Sequence, residues 1–104
     1  MALYQIFVHV PETHLEEVKE AMFEAGAGKL GNYSCCSWEV KGEGQFRPEE
    51  GSNAYLGEVG KIEKVAEYRV YTFCDRKNIK KIIVAMKAVH PYEMPAYGVT
   101  KINY

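Results

Sequence analysis

The chain has 104 residues, a hydrophobic fraction of 47%, a charged fraction of 26% and a formal net charge of -1. That is enough apolar content for one packed domain over residues 1–104 and excludes a disordered class. The near-zero charge disfavours a nucleic-acid partner. The lack of an apolar run near ~20 residues disfavours a membrane one.

In chain order, residues 2 to 10 alternate as a strand, with Tyr4, Ile6, Val8 and Val10 on one face and Gln5 and His9 on the other. Pro11 ends it, and a helix from about 12 to 25 is predicted. Thr13 and Glu16 have capping-box spacing, Leu15, Val18, Met22 and Ala25 form the apolar stripe, and Gly26 is the terminator. Residues 33 to 41 read as a second strand with Cys36, Trp38 and Val40 on one side. Gly42-Glu43-Gly44 then reads as a tight turn into a small extra hairpin strand, Gln45-Phe46-Arg47. Glu49 to Asn53 is polar and turn-rich, the natural place for a mobile loop. Residues 64 to 74 form the longest strand, with Val65, Tyr71 and Phe73 on one face and Ala66, Tyr68, Val70 and Cys74 on the other. Asp75 is placed to cap a helix from about 76 to 89 with the stripe Ile79, Ile82, Ile83, Met86 and Val89. Pro91 and Pro95 forbid its continuation. Tyr97 to Ile102 closes the chain as a strand.

The order β-α-β-β-α-β predicts an α+β, ferredoxin-like sandwich with both helices on one face of an antiparallel sheet. The first helix is acidic (Glu12, Glu16, Glu17, Glu20, Glu24) and the second basic (Arg76, Lys77, Lys80, Lys81, Lys87). Opposite charge is therefore expected across the seam between them, although exposed pairs contribute only ~0–1 kcal/mol each.

Chemistry-bearing motifs are few. Gly26-Ala27-Gly28-Lys29-Leu30-Gly31 matches the dinucleotide fingerprint by letter. It follows a helix instead of opening one, so helix termination is the expected role. His90 and Glu93 put an imidazole and a carboxylate three positions apart in a proline-bounded loop. That pair suits a divalent metal if His14, Cys35, Cys36 or a second subunit completes the set. The alternative is that His90 serves the end of the preceding helix. Three cysteines, Cys35, Cys36 and Cys74, without framework spacing imply reduced thiols. Met1 to Gln5 shows no charged leader, and a cytoplasmic setting is expected. Eight tyrosines, with Tyr68, Tyr71, Tyr92, Tyr97 and Tyr104 in the second half, suit a surface that meets another protein.

Several blocks together resemble the middle domain of the Nif-three-like (YqfO-type) proteins: Gly26 to Ser34, Cys36-Ser37-Trp38, Gly42 to Pro48, Gly57 to Val65, and Ala88 to Tyr97. The blocks run in order over almost the whole chain. The resemblance implies a free-standing version of a domain similar to the CutA divalent-ion tolerance proteins and the PII signalling proteins. It also implies a homo-oligomer, trimer or dimer. The resemblance also implies that the dinuclear metal ligands of that family lie in lobes flanking the matched segment, so no residue here is expected to inherit them, nor a cyclohydrolase label. The expected function is a non-enzymatic oligomeric module, a sensor or scaffold. The alternative is a divalent-metal-binding protein using His90 and Glu93 at a subunit interface. A third, borrowed from the PII likeness alone, is a nucleotide-responsive regulator using Gly26 to Asn32 and the Glu49 to Leu56 loop.

Overall fold

The computed structural model describes residues 2–104. Four strands, β1 (Ala2–Pro11), β2 (Ser37–Phe46), β3 (Glu63–Cys74) and β4 (Tyr97–Asn103), and two helices, α1 (Leu15–Glu24) and α2 (Ile79–Val89), follow one another in the order β1-α1-β2-β3-α2-β4. The strands lie side by side as β2-β3-β1-β4, and every neighbouring pair is antiparallel. No helix of the described residues is long and apolar enough to cross a membrane.

Strand alternation decides which face carries the helices. Ile6, Val8 and Val10 of β1 and Val70 and Cys74 of β3 are buried against Leu15, Val18 and Met22 of α1 and Ile82 and Met86 of α2. Ile79 and Val89 pack at the margin of this core, whereas Ile83 is only half-buried. Both helices thus cover the same side of the sheet, as the element order demands. The other side carries Gln5, Phe7 and His9 of β1 beside Phe73, Tyr71 and Arg69 of β3.

Four local expectations are corrected. Thr13 and Glu16 do not form a capping box: a short 3₁₀ turn, Glu12–His14, precedes α1, its caps make no side-chain bond, and Thr13 Oγ1 lies 2.8 Å from His14 Nδ1 instead. Asp75 contributes its backbone, not its carboxylate: its carbonyl accepts the Asn78 N–H at 3.1 Å in a second 3₁₀ turn, Arg76–Asn78. Gly42-Glu43-Gly44 is not a turn, and there is no separate hairpin strand at 45–47. The segment continues β2 in register, Gly42 opposite Glu67 and Gly44 opposite Val65, out to Phe46 opposite Glu63. Gly44 instead makes room for the Glu67 side chain, which lies where a Cβ would stand. Finally, no ion pair joins the two helices among the described residues. The helix-side charges reach β2: Lys19 Nζ lies 2.7 Å from Glu39 and Lys41 Nζ 3.2 Å from Glu12.

Pairing of β1 with β3 stops at Pro11 opposite Glu67, while β2 and β3 run on together to Phe46 and Glu63. A two-stranded ribbon therefore overhangs the end of the sheet. The 47–62 loop joins its strands.

At the other end of the core, Gly26 to Gly28 behave as helix punctuation. With Gly26 at φ +115°, the Ala27 N–H reaches the Met22 carbonyl and the Gly26 N–H the Phe23 carbonyl, which together satisfy two orphan carbonyls of α1. Gly28 (φ +80°) then donates to the Phe73 carbonyl and accepts from the Cys36 N–H, so the loop is sewn to the sheet edge. A Cβ on Gly28 would stand 2.9 Å from the Cys36 nitrogen, whereas one on Gly31 (φ +57°) would meet nothing within 4 Å. Gly28→Ala is expected to destabilise the fold by about 2–3 kcal/mol and Gly31→Ala by about 1 kcal/mol. Urea titration of the two variants checks the ranking; equal midpoints would contradict it.

Candidate functional site

The overhanging ribbon, the start of the 47–62 loop and the segment 92–96 enclose a cleft of about 710 Å³. Its walls are built in three steps. Glu67 and Arg69 alternate onto the helix-free face of β3, beside His9 of β1. Residues 90–96 turn across the end of the sheet because Pro91 and Pro95 stop α2 from running on. The loop after Pro48, itself buried, brings Tyr55 and Leu56 over the top.

His90 fixes the middle of this arrangement. Its side chain is 7% exposed. Nε2 donates to the His9 carbonyl at 2.8 Å, and Nδ1 accepts the Tyr92 N–H at 3.1 Å. These two bonds select the neutral tautomer with the proton on Nε2. Burial holds its pKa below the ordinary histidine value, against the opposing pull of the His9 carbonyl and the Glu67 charge. Tyr92 is held at both ends, since its hydroxyl donates to Glu67 Oε2 at 2.7 Å. Burial, then the Glu67 carboxylate, pushes the Tyr92 phenol far above its usual range. The Tyr92 ring stands 6.1 Å from Phe46 and 6.3 Å from Tyr55, tilted by 56° and 48°.

Arg69 closes the other end. Its guanidinium lies 3.8 Å over the Phe7 ring and 5.2 Å from the Tyr71 ring, with Nε donating to Tyr71 Oη and Nη1 to His9 Nε2, both at 2.7 Å.

The residues singled out from the sequence fall as follows. His90 spends both ring nitrogens inside the chain, and Glu93 Oε2 accepts the Asn53 N–H at 3.0 Å. A metal at this pair would have to displace one of the His90 bonds first. His14 stacks edge-on against Tyr55 at 5.8 Å. Cys35 is exposed in a left-handed turn (φ 55°), and Cys36 leans on the Ser34 carbonyl; neither lies on a strand. No group of three or more His, Cys, Asp or Glu side chains among the described residues is placed to hold a metal. Cys74 is buried, and its thiol is pushed up to about 11 by burial and by Asp75, an inert packing residue. Gly26 to Gly31 end a helix, as expected. Sequence reasoning passed over Glu67 and Arg69. Their signal was two charged residues at i and i+2 inside the longest apolar strand.

This architecture is that of the CutA-type ferredoxin-like module. The CutA divalent cation tolerance protein of Archaeoglobus fulgidus superposes with a TM-score of 0.69 over 100% of this chain and 86% of its own, at 18% identity, a likeness of fold. The nearer kinship is with a segment of the Nif-three-like proteins. A Bacillus cereus protein related to NIF3 superposes with a TM-score of 0.85 at 40% identity, over 99% of this chain and 26% of that one. Proteins called GTP cyclohydrolase 1 type 2 homolog are 46% identical over 96 residues in Halalkalibacterium halodurans (92% of this chain, 26% of that protein) and 45% over 92 residues in Mycobacterium tuberculosis (88% and 24%). No family model matches. The chain is thus homologous to one domain-length segment of the Nif-three-like proteins and spans about a quarter of the length of the curated relatives it matches.

The neutral His90 makes stability pH-dependent. The unfolded chain takes up a proton near the ordinary value of about 6.5, whereas the folded one resists it because both nitrogens are engaged and buried. The contribution is therefore fully present above about pH 6.5 and is lost as pH falls below that value through the lowered folded-state pKa. Thermal melts from pH 8 to pH 5 are expected to show this decline. His90→Asn is expected to lower stability by about 1–3 kcal/mol at pH 8 and to flatten the acid decline.

Proposed function

We propose that this chain works as a non-catalytic, self-associating module, a scaffold or sensor domain that meets copies of itself, as trimer or dimer, through the helix-free face of its sheet. One observation carries the reading. On that face Trp38 is 63% exposed and Val40 45% exposed, in a row with half-buried Tyr71, Phe73 and Phe7. Large aromatic side chains contribute most when they are withdrawn from water, and a contiguous apolar patch on one face marks an interaction surface. Trp38 and Tyr71 stand 6.0 Å apart and flank a shallow groove with Gln5 and Phe73.

The side chains best suited to reaction support the same reading. His90 is committed to two backbone groups, Cys74 is a buried thiol with a raised pKa, and His9 Nε2 is occupied by Arg69.

Light scattering on a sizing column at micromolar concentration tests the reading. A mass two or three times that of one chain is expected. Trp38→Glu, which places a charge on the patch, is expected to shift the population to single chains by at least tenfold in dissociation constant. A strict monomer at all concentrations would end the proposal.

A further inference from the structure

We propose that the cleft between the β2–β3 overhang and segment 92–96 is a binding site for a small organic cation, an alkylammonium or guanidinium group, with Tyr92, Tyr55 and Phe46 as its aromatic walls and Glu67 as its counter-charge.

The volume, about 710 Å³, lies within the range of small-ligand sites. The rings decide the class of ligand. Phe46, Tyr55 and Tyr92 all line the cleft; Phe46 and Tyr55 are tilted by 56° and 48° to Tyr92 and neither is stacked face to face on it, while His14 meets Tyr55 edge-on and His90 stands 5.0 Å from Tyr92. The face of an aromatic ring carries negative quadrupole potential and attracts a cation lying within about 6 Å. The formal charges lining the cleft agree. Glu43, Glu67 and Glu93 stand against one cation, Arg69. Arg69 is already engaged by the Phe7 and Tyr71 rings, Tyr71 Oη and His9 Nε2 at the opposite end. Glu67 receives one bond, from Tyr92, and a carboxylate has room for about three more.

The site is also built in advance. The Tyr92 N–H is held by His90 and its hydroxyl by Glu67, so the ring keeps its place without a ligand. Gly44 carries no side chain and lets the Glu67 carboxylate lie across β2. Preformed walls lower the ordering cost that a weak ligand must otherwise overcome. The lining residues all come from one chain, so the site does not require self-association, although Val40 belongs both to this lining and to the face proposed to meet another copy.

The test uses choline and agmatine as cations, 3,3-dimethylbutan-1-ol as the neutral isostere of choline, and 4-hydroxybenzoate as an anion. Binding is followed by calorimetry at low ionic strength and by proton NMR of the aromatic rings. Saturable binding of at least one cation is expected, with shifts on Tyr55, Tyr92 and Phe46. The neutral isostere is expected to bind about tenfold more weakly. Tyr55→Leu, at a position 48% exposed and so tolerant of change, is expected to weaken the cation about tenfold. Glu67→Gln is expected to weaken it as well, with Tyr55→Leu carrying the test if Glu67→Gln does not fold. Equal affinity for the neutral isostere, preference for the anion, shifts confined to other residues, or no saturable binding by either cation would each overturn the proposal.

Discussion

The His90 imidazole ties together three pieces of chain that the topology leaves loose. β1 ends at Pro11, α2 ends at Val89, and the segment before β4 is joined to β1 by one backbone bond, from the His9 N–H to the Ala96 carbonyl at 2.9 Å. One ring spans all three. Its Nε2–H takes the His9 carbonyl near the end of β1, its own backbone N–H closes the last turn of α2 on the Met86 carbonyl, and its Nδ1 receives Tyr92. A buried imidazole with one donor and one acceptor both satisfied is stable only while neutral. The neutral ring acts with the His9 N–H bond to the Ala96 carbonyl and the Tyr92 hydroxyl bond to Glu67 to fix segment 90–96 and the place of Tyr92.

A second constraint acts on the opposite wall. Because Pro11 and the turn at Glu12–His14 stop β1 at Glu67, the last four pairs of the β2–β3 ladder have no third strand beside them. An unsupported two-stranded ribbon is marginal by itself. Here it is shored up by side chains from elsewhere: Tyr92 against Phe46 and Glu67, and a buried Pro48 at the turn-off of the loop. The cleft is what lies between the ribbon and those supports.

The parts of this fold legible in sequence are those governed by periodicity. Val8, Val10, Val18, Met22, Ile82 and Met86 were identifiable as core because their spacing matches 2.0 or 3.6 residues, and all are buried. The order of elements then left one sandwich to expect. Punctuation was less legible. Gly42 and Gly44 look like a turn because glycine so often supplies one, yet in this chain neither has a positive φ. Gly44 is required by a cross-strand neighbour, Glu67, that only the register reveals. Thr13 and Glu16 have the spacing of a capping box, but a 3₁₀ turn rotates them out of reach of each other's backbone. The site was least legible, because its residues come from five separate stretches. His90 and Tyr92 were visible as a loop motif. That the ring would face backbone groups depended on His9, 81 positions away in sequence.

Arg69 links the two surfaces of the module. On one side it holds Tyr71, which belongs to the aromatic face with Trp38; on the other it holds His9, which lines the cleft. Its charge is spread over the Phe7 ring at 3.8 Å, with no carboxylate within ion-pair distance among the described residues. A guanidinium held this way by rings and hydrogen bonds tolerates partial burial because its planar, weakly hydrated group loses less on leaving water than an ammonium does. A lysine at this position would lose that fit, since it has neither the fork that reaches Tyr71 and His9 together nor the flat face that lies on Phe7. The aromatic face and the cleft are therefore two sides of one fixed cation, and the geometry of either depends on the same side chain.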